Sequence, residues 1–221
     1  MNPERQISLF DGSPGFPETD TSPVHPRLGF ESRLWQRGIL RVAGVDEAGR
    51  GCLAGPVVAA AVILPVGCEL PGVQDSKKMS AAAREEARER ILAQALATGI
   101  GLCSPSEIDR LNILHAAMEA MRRAVLNLNP GPDHLLVDGN RCFPDSPWPF
   151  QTVIKGDDRS LSIGAASVLA KTHRDAIMQE LDTQNPGYGW ASNKGYPTAS
   201  HYDAIRALGQ TVHHRSSFRL S

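Results

Sequence analysis

The sequence lacks an apolar run long enough to cross a membrane, and its first residues are too polar for a signal peptide. It contains only four cysteines, which are widely spaced and form no C-x-x-C pair. This spacing argues against a zinc site and against a disulfide framework, and it fits a reducing cytoplasm. We therefore expect a cytoplasmic protein that contacts no membrane.

The chain also lacks a large net charge and has few lysines. Its 221 residues carry a formal charge of -1, which gives no global sign of a polyanionic partner. Only five of the 23 Lys and Arg residues are lysines, and they lie in the short stretches DSKK, IKGDD, LAKT and NKGY. Lysine supplies a compact, mobile charge beside phosphate or metal, so this placement indicates a basic rim around an acidic centre.

Residues 1–37 are predicted to form a flexible tail, because five prolines with polar residues between them leave little apolar surface to offset the entropy of ordering. The cluster Gln6-Ile7-Ser8-Leu9-Phe10 is the apolar exception within this tail. Residues 38–221 are predicted to form one globular domain, since the chain is 41% hydrophobic and has an ordinary size for one core.

Apolar periodicity predicts the elements of this domain. Strands are predicted at 42–46, 57–64, 100–103, 135–139 and 151–155, the first two able to pair as a hairpin. Helices are predicted from Ser80 to about 97, from a Ser106-x-x-Asp109 capping box onward, at about 160–183 and at 199–208. Strands that first pair and then alternate with helices predict an α/β domain with a mixed sheet.

Four acids lie at the ends of predicted strands: Asp46, Glu47, Asp138 and Asp157. Ligands of open α/β sheets gather outside strand ends, so these carboxylates can converge. A set of oxygen donors favours Mg²⁺ or Mn²⁺ over zinc, and such a cation would relieve the repulsion between the two adjacent acids. Consecutive strand residues point to opposite faces, so Glu47 joins Asp46 only if the chain turns there.

A structural interpretation stays open for each acid alone, because a single aspartate often caps a helix or closes a turn. The adjacent pair Asp46-Glu47 is different, since it lies between a buried strand and the Gly49-Arg50-Gly51 turn. That context favours a chemical role for the pair.

Several blocks of the sequence, in order, strongly resemble bacterial ribonuclease HII. They are GVDEAGRGCLAGPVV, DSKK, LNILHAAMEAM, VDGN, KGDDRSLSIGAASVLAKTHRD and NKGYPT. The resemblance covers about residues 42–218 and implies a ribonuclease H-like fold, with a mixed five-stranded sheet flanked by helices and a C-terminal helical extension. It also implies an endonuclease that hydrolyses RNA in RNA–DNA hybrids and nicks 5′ of single ribonucleotides embedded in duplex DNA.

The resemblance assigns roles to individual residues. The four acids would be the catalytic metal ligands for two Mg²⁺ or Mn²⁺ ions, and cleavage would leave 3′-hydroxyl and 5′-phosphate ends. Gly49, Arg50 and Gly51 would read the ribose 2′-hydroxyl, the group that separates RNA from DNA, and Tyr196 would pack against the neighbouring sugar. Candidate phosphate contacts in the matched blocks are Ser76, Lys77, Asn112, Lys155, Ser167 and Lys171. The family resemblance also implies a monomer.

The tail cluster resembles the short Q-x-x-L-F peptide that binds the bacterial sliding clamp, with Leu9 and Phe10 as apolar anchors and Gln6 at the pocket rim. Two other functions stay open at this point: a non-catalytic nucleic-acid-binding module, and another metal-dependent nuclease of the same broad fold, such as a resolvase. The first would not need all four acids, and the second would not need the Gly-Arg-Gly and Gly-Tyr-Pro segments. Only a ribonuclease should require a 2′-hydroxyl.

Overall fold

A computed structural model describes residues 27–73 and 79–220, and every structural statement below concerns this part of the chain. Its centre is a mixed five-stranded sheet in the order β3-β2-β1-β4-β5. The strands are β1 (Val42–Ala48), β2 (Val57–Ile63), β3 (Ala97–Cys103), β4 (His134–Asp138) and β5 (Phe150–Val153). The first three pair antiparallel, whereas β4 runs parallel to both β1 and β5. The predicted mixed sheet and the hairpin of its first two strands are confirmed.

Eight helices surround or extend the sheet in the described residues. They are α1 (Gly29–Trp35), α2 (Ala81–Gln94), α3 (Pro105–Leu111), α4 (Ile113–Leu126), α5 (Gly156–Arg159), α6 (Leu161–Gln184), α7 (Trp190–Asn193) and α8 (Ala199–Leu208). Ser80 and Ser160 cap α2 and α6, each accepting a backbone N–H three residues ahead. None of the described helices is both long and apolar enough to span a membrane.

The two sheet faces carry separate apolar cores, which explains why β1 and β2 are continuous apolar runs. Helices α1, α2 and α6 pack on one face, and α4 packs on the other. Gly44 on β1 lets α6 come close, because a Cβ there would lie 2.1 Å from the Ser162 carbonyl carbon. Gly101 on β3 does the same for α4, since its Cβ would lie 2.2 Å from the Ala120 oxygen. Burial on both faces thus fixes the sheet between two helical layers.

The helical region after β3 differs from the prediction in two ways. The capping box is formed by Ser104 and Glu107, with Pro105 opening the helix, and Asp109 instead accepts hydrogen bonds from Ser216 and Ser217. One helix was predicted here, but the chain breaks at Asn112, whose φ of 64° is incompatible with a continuous α-helix. The predicted capping box was thus displaced by two residues, and the single predicted helix is two helices, α3 and α4.

The globular fold begins earlier than residue 38. Residues 28–35, assigned from sequence to the flexible tail, contain α1 and contribute buried side chains of Leu28, Leu34 and Trp35 to the α6-side core. Proline-rich neighbours hid this short helix in the sequence, because its apolar residues are few and follow a polar segment.

A third apolar cluster forms the C-terminal extension. The side chains of Leu53 and Met178 pack there with Tyr188, Trp190 and Ile205. Because Leu53 lies two residues after the Gly49-Arg50-Gly51 turn, this extension packs beside the candidate site.

Candidate active site

The topology places Asp46 and Asp138 at neighbouring strand ends. Val45 on β1 lies opposite Val137 on the parallel strand β4, so the next residue on each strand is an aspartate. The Asp138 Oδ1 atom accepts the Gly156 N–H at 2.7 Å, which brings the segment containing Asp157 against β4. Strand pairing thus sets Asp46 beside Asp138, and the hydrogen bond from Gly156 places α5, which carries Asp157, next to Asp138.

Asp46 is an almost fully buried carboxyl with few compensating partners. Burial raises its pKa well above the ordinary aspartate value, and the charges of Glu47 and Asp138 raise it further. The Ser167 side chain and the Glu47 N–H, at 2.7 Å, are hydrogen-bonded to this carboxyl and oppose the effect. The centre of the site is therefore short of positive charge, as expected where a cation belongs.

Glu47 lies in the strand, not in a turn. Strand β1 continues to Ala48, so the chain does not turn at residue 47 as the sequence analysis required for Glu47 to join Asp46. The Glu47 carboxylate accepts from the Arg50 guanidinium at 3.1 Å. Burial raises the pKa of Glu47, while Arg50 lowers it and Asp138 raises it. Glu47 and Asp138 nevertheless line one cavity of about 300 Å³, together with Arg50 and Asn140.

The donor set suits a hard divalent cation. Among residues 27–73 and 79–220, no three His, Cys, Asp or Glu side chains lie close enough together to hold a metal ion. The Glu47 carboxylate is paired with Arg50, and that of Asp138 accepts the Gly156 N–H. The carboxylates Asp46, Glu47 and Asp138 still influence one another electrostatically, and Asp157 lies buried one residue after Gly156. Carboxylate oxygens without histidine or thiolate match Mg²⁺ or Mn²⁺.

Two buried arginines, Arg174 and Arg215, lie behind the Gly49-Arg50-Gly51 turn. The Arg215 guanidinium donates to the carbonyls of Gly49 at 2.7 Å, Arg50 at 3.1 Å and Gly55 at 3.0 Å. Burial lowers the pKa of Arg215 to about 10, which leaves it protonated at neutral pH.

The second arginine links this region to the glycine-rich loop around residue 195. Arg174 donates to the carbonyls of Ala54, Pro56 and Lys194 at 2.8 to 3.0 Å. Together the two side chains use six backbone carbonyls and no carboxylate, so their role is to shape the backbone.

A second cavity, of about 230 Å³, unites most of the predicted substrate-binding residues. It is lined by Glu47, Ala48, Gly49, Arg50, Gly51, Ser167, Lys171 and Tyr196. These residues come from three separate sequence blocks, which β1, α6 and the loop before α8 bring to one place. Glu47 lies in both cavities, so the acidic centre and this second cavity adjoin.

Tyr196 presents a partly exposed ring to this cavity, with 42% of the residue accessible. Burial of its inner part raises the pKa of Tyr196, whose hydroxyl is hydrogen-bonded to the Cys52 thiol. The Lys171 ammonium lies 5.8 Å from the ring centroid and donates to Asp175 at 2.7 Å. A flat aromatic surface beside an ammonium suits the sugar and phosphate of a nucleic-acid strand.

A histidine pair holds the Tyr196 backbone. Trp190 Nε1 donates to His201 Nε2 at 2.9 Å, so the neutral His201 ring carries its proton on Nδ1 and donates to the Tyr196 carbonyl at 3.0 Å. His214 Nδ1 accepts the Thr211 N–H at 3.0 Å, and its Nε2 lies 3.3 Å from His201 Nε2. Burial, together with the proximity of His201, lowers the pKa of His214 to about 4.

Other predicted contacts fall elsewhere or outside the described residues. Asn112 caps α4, its Oδ1 accepting from Leu114 and His115 at 3.0 and 3.2 Å, so this oxygen is committed to the helix. Lys155 precedes α5 in a left-handed conformation and is absent from the linings of both cavities described above. The predicted phosphate contacts Ser76 and Lys77, and the tail residues Gln6, Leu9 and Phe10, lie outside the described residues.

Sequence reasoning missed the two supporting arginines and the histidine pair. Arg174 gave a usable signal, because it lies four residues from Ala170 and four from Met178 on the buried stripe of α6, where a charge needs partners. Arg215 and His214 gave none, since their partners are distant in sequence.

Comparison with known proteins supports one family. The family model described as Ribonuclease HII matches residues 43–221. Ribonuclease HII of Salinibacter ruber is 59% identical over 87% of this chain and 98% of its own length. That of Geobacter sulfurreducens is 55% identical over 90% of this chain and 92% of its own.

Solved structures agree on the fold. Ribonuclease H2 from Pyrococcus horikoshii OT3 matches with a TM-score of 0.69 at 24% identity, covering 82% of this chain and 95% of that chain. RNase HII in the PCNA:RNase HII complex from Archaeoglobus fulgidus has a TM-score of 0.68 at 25% identity, covering 82% and 96%. Bst-RNase HIII in complex with Mn²⁺ has a TM-score of 0.63 at 19% identity, covering 82% and 68%.

The sheet order and these neighbours define a ribonuclease H-like fold. Within that class, the chain belongs to the ribonuclease HII family. It is a divalent-metal-dependent endoribonuclease that cleaves RNA in RNA–DNA hybrids and at ribonucleotides embedded in DNA.

Proposed function

We propose that the enzyme nicks duplex DNA on the 5′ side of a single embedded ribonucleotide, leaving 3′-hydroxyl and 5′-phosphate ends. The observation that carries this proposal is the second cavity, in which Glu47 of the acidic centre lies beside the Gly49-Arg50-Gly51 turn and Tyr196. A ribose held at the turn would therefore present its neighbouring phosphate to the carboxylates. The site would read the sugar and the scissile bond together.

Asp46, Glu47, Asp138 and Asp157 are the proposed ligands for two Mg²⁺ or Mn²⁺ ions. When bound, such ions supply an activated water and stabilise the leaving 3′-oxygen. The chain's own contribution is to hold the carboxylates: strand pairing sets Asp46 beside Asp138, and the Gly156 N–H fixes the Asp138 side chain. Asp46 is the central ligand in this scheme, because it is the most buried of the four.

The proposed reader of the 2′-hydroxyl is the turn at Gly49–Gly51. Arg215 donates to the Gly49 and Arg50 carbonyls and Arg174 packs against Gly49 on the protein side of this turn, so its other side can face the substrate. Nothing lies within 4 Å of the position a Cβ would take on Gly51, which leaves open space for close approach of a ribose. Hydrogen bonds to a 2′-hydroxyl would distinguish RNA from DNA at this point.

Tyr196 is proposed to pack on the adjacent sugar, and Ser167 and Lys171 to contact phosphate. Both of these side chains line the same cavity as Tyr196. Lys155, Ser76 and Lys77 remain proposed phosphate contacts farther along the strand. Asn112 would contribute only through its side-chain nitrogen, since its oxygen caps α4.

The test is a nicking assay with Mg²⁺ or Mn²⁺ on duplex DNA carrying one ribonucleotide, beside an otherwise identical all-DNA duplex. We expect a single cut 5′ of the ribonucleotide, no cut in the all-DNA duplex, and no activity in the Asp46→Asn protein. End-labelling would verify the 3′-hydroxyl product.

Two results would contradict the proposal. Cleavage of an RNA–DNA hybrid without cleavage of the single-ribonucleotide duplex would contradict nicking at a single embedded ribonucleotide. Cutting of the all-DNA duplex at a comparable rate would remove the 2′-hydroxyl as the recognised group.

We also propose that Gln6, Leu9 and Phe10 bind the replication sliding clamp, that the enzyme acts as a monomer and that it works in the cytoplasm. The solved complex of Archaeoglobus fulgidus RNase HII with PCNA supports a clamp partner in this family. In a pull-down with the sliding clamp, the double variant Leu9→Ala/Phe10→Ala should no longer be captured. Its nicking activity should be unchanged. Equal capture of this variant and the natural chain would refute the clamp proposal.

A further inference from the structure

The residues just before and within α1 reach across the molecule to the segment that bears Asp157. We call residues 27–31 the N-terminal brace. The Arg27 guanidinium donates to the carbonyl oxygens of Asp157 and Ser160, the latter at 3.2 Å, and to that of Val73 at 2.6 Å. The Leu161 N–H returns a hydrogen bond to the Arg27 carbonyl at 2.9 Å. One side chain thus fixes the backbone on both ends of α5.

Glu31 holds the other side of the same segment. Its fully buried Oε1 accepts the hydroxyls of Ser160 and Ser162 at 2.6 Å each and the Ser162 N–H at 3.0 Å. Its Oε2 has no hydrogen-bond partner. A buried carboxylate costs several kcal/mol unless its bonds are good, so this one is retained for what it orders, the start of α6. Ser160, the residue that caps α6, is oriented by Glu31.

Two more features match the brace to this segment. Gly164 on α6 leaves room for the guanidinium, because a Cβ there would lie 2.1 Å from the Arg27 terminal nitrogen. The Arg159 guanidinium of α5 lies 5.3 Å from the centre of the Phe30 ring. The brace therefore contacts the short helix carrying Asp157 directly, and it also contacts Ser160 after that helix and the start of α6.

We propose that Arg27 and Glu31 are positioning residues that fix Asp157 for metal binding. Helix α5 has only four residues and cannot hold a side chain rigidly by itself. Its preceding residue, Lys155, is in the left-handed conformation, so the α5 backbone depends on outside contacts. Arg27 and Glu31 supply those contacts from a sequence separation of about 130 residues.

The inference rests on the proposed role of Asp157 as a ligand, and the experiment separates the two. Mn²⁺ binding to the full-length protein is measured by electron paramagnetic resonance of the free ion, with no substrate present. The variants are Arg27→Gln, Arg27→Lys, Glu31→Gln and Asp157→Asn. Arg37→Gln is the matched control, since Arg37 is exposed just after α1. Circular dichroism melts report folding for each protein.

We expect Arg27→Gln and Glu31→Gln to weaken Mn²⁺ binding about 10-fold, the scale of lost outer-shell support for a metal ligand. Arg27→Lys keeps the positive charge but loses the planar set of N–H donors, so it should weaken Mn²⁺ binding less. Arg37→Gln should bind Mn²⁺ normally. The Mn²⁺ concentration for half-maximal nicking should rise in parallel, while activity at saturating Mn²⁺ recovers. This recovery separates a positioning role from general damage to the fold.

Normal Mn²⁺ binding by folded Arg27→Gln and Glu31→Gln, with weakened binding by Asp157→Asn, would overturn the inference and leave the proposed function standing. Normal binding by Asp157→Asn would overturn the ligand assignment, and the inference with it. If Arg27→Gln fails to fold, Arg27→Lys and Glu31→Gln decide the question by the same readout.

Discussion

A Cβ atom on Gly49 would lie 2.0 Å from the Nε atom of Arg174, so this glycine and this arginine occupy one tightly shared space. Gly49 also has a φ of 94°, which residues with side chains rarely adopt. The turn that follows β1 thus requires glycine at position 49, because the Arg174 guanidinium fills the space that a side chain would take.

This geometry makes different predictions for the two glycines of the turn. Gly49→Ala should destabilise folding by about 2 kcal/mol or more, from backbone strain and displacement of Arg174. Gly51→Ala, with nothing within 4 Å of its Cβ, should keep the stability and lose activity on ribonucleotide substrates. Urea denaturation and the nicking assay on both proteins provide the measurements. Equal stability losses would contradict the packing argument, and full activity of Gly51→Ala would contradict close approach of the ribose.

Arg215 should be required for stability as well as for activity. Arg215→Met removes the donor from the carbonyls of Gly49, Arg50 and Gly55, which stay in or near the interior. Unsatisfied acceptors cost about 1–3 kcal/mol each, so we expect a loss of about 3 kcal/mol in the free energy of unfolding. Denaturant titration measures it, with Arg37→Met, at an exposed position, as the control. A loss below about 1 kcal/mol would show that water replaces the guanidinium.

Asp46→Asn should abolish nicking and change how stability depends on pH. Loss of the proposed central metal ligand would remove several kcal/mol of charge stabilisation, so we expect at least about a 1,000-fold drop in rate. The pKa of Asp46 is raised in the folded state, so without metal its contribution to stability is lost as pH rises from the ordinary aspartate value through the raised one. Asn removes that loss.

The measurement for Asp46→Asn is urea denaturation in EDTA across the acid-to-neutral range. The stability of the variant relative to the natural chain should increase as pH rises. A constant difference would mean that the Asp46 carboxyl is not under electrostatic strain.

The His201–His214 pair should make the C-terminal extension sensitive to acid. The pKa of His214 is about 4 in the folded state against an ordinary 6.5, so its contribution to stability is present above pH 6.5 and is lost as pH falls toward 4. His214→Asn should show a flatter stability profile over that window. NMR titration of the histidine Cε1 protons tests the shift directly. Titration of His214 near 6.5 would refute the buried, neutral pair.

The sequence predicted the sheet well because its signals are local. Continuous apolar runs identified β1 and β2, and the strand-end rule brought Asp46 and Asp138 to one edge of the sheet. The capping box was misassigned because Ser104-x-x-Glu107 and Ser106-x-x-Asp109 overlap, and only Pro105 at the first helical position separates them. Each serine is followed by an acid three residues later, so the local pattern alone does not show which of them caps the helix.

The supports of the site could not be predicted from sequence, because their partners are remote. Arg215 binds the Gly49 carbonyl across 166 positions, and Arg27 binds that of Asp157 across 130. Neither pairing leaves a periodic trace in the chain. The position of Glu47 also required the structure, since only the length of β1 decided whether the chain turned there.

The remote pairings also constrain the order of folding. Just after the turn, the Leu53 N–H donates to the Gly195 carbonyl at 2.7 Å. Within the turn, the Gly49 carbonyl accepts from the Arg215 guanidinium, so both partners come from sequence far downstream. Closing the long loops between these segments costs entropy before such contacts stabilise the fold. A nascent chain that has completed its sheet therefore still lacks the segments that shape this turn. The turn that we propose as the reader of the 2′-hydroxyl therefore gains these supports only once the region around Arg215 has been synthesised and packed.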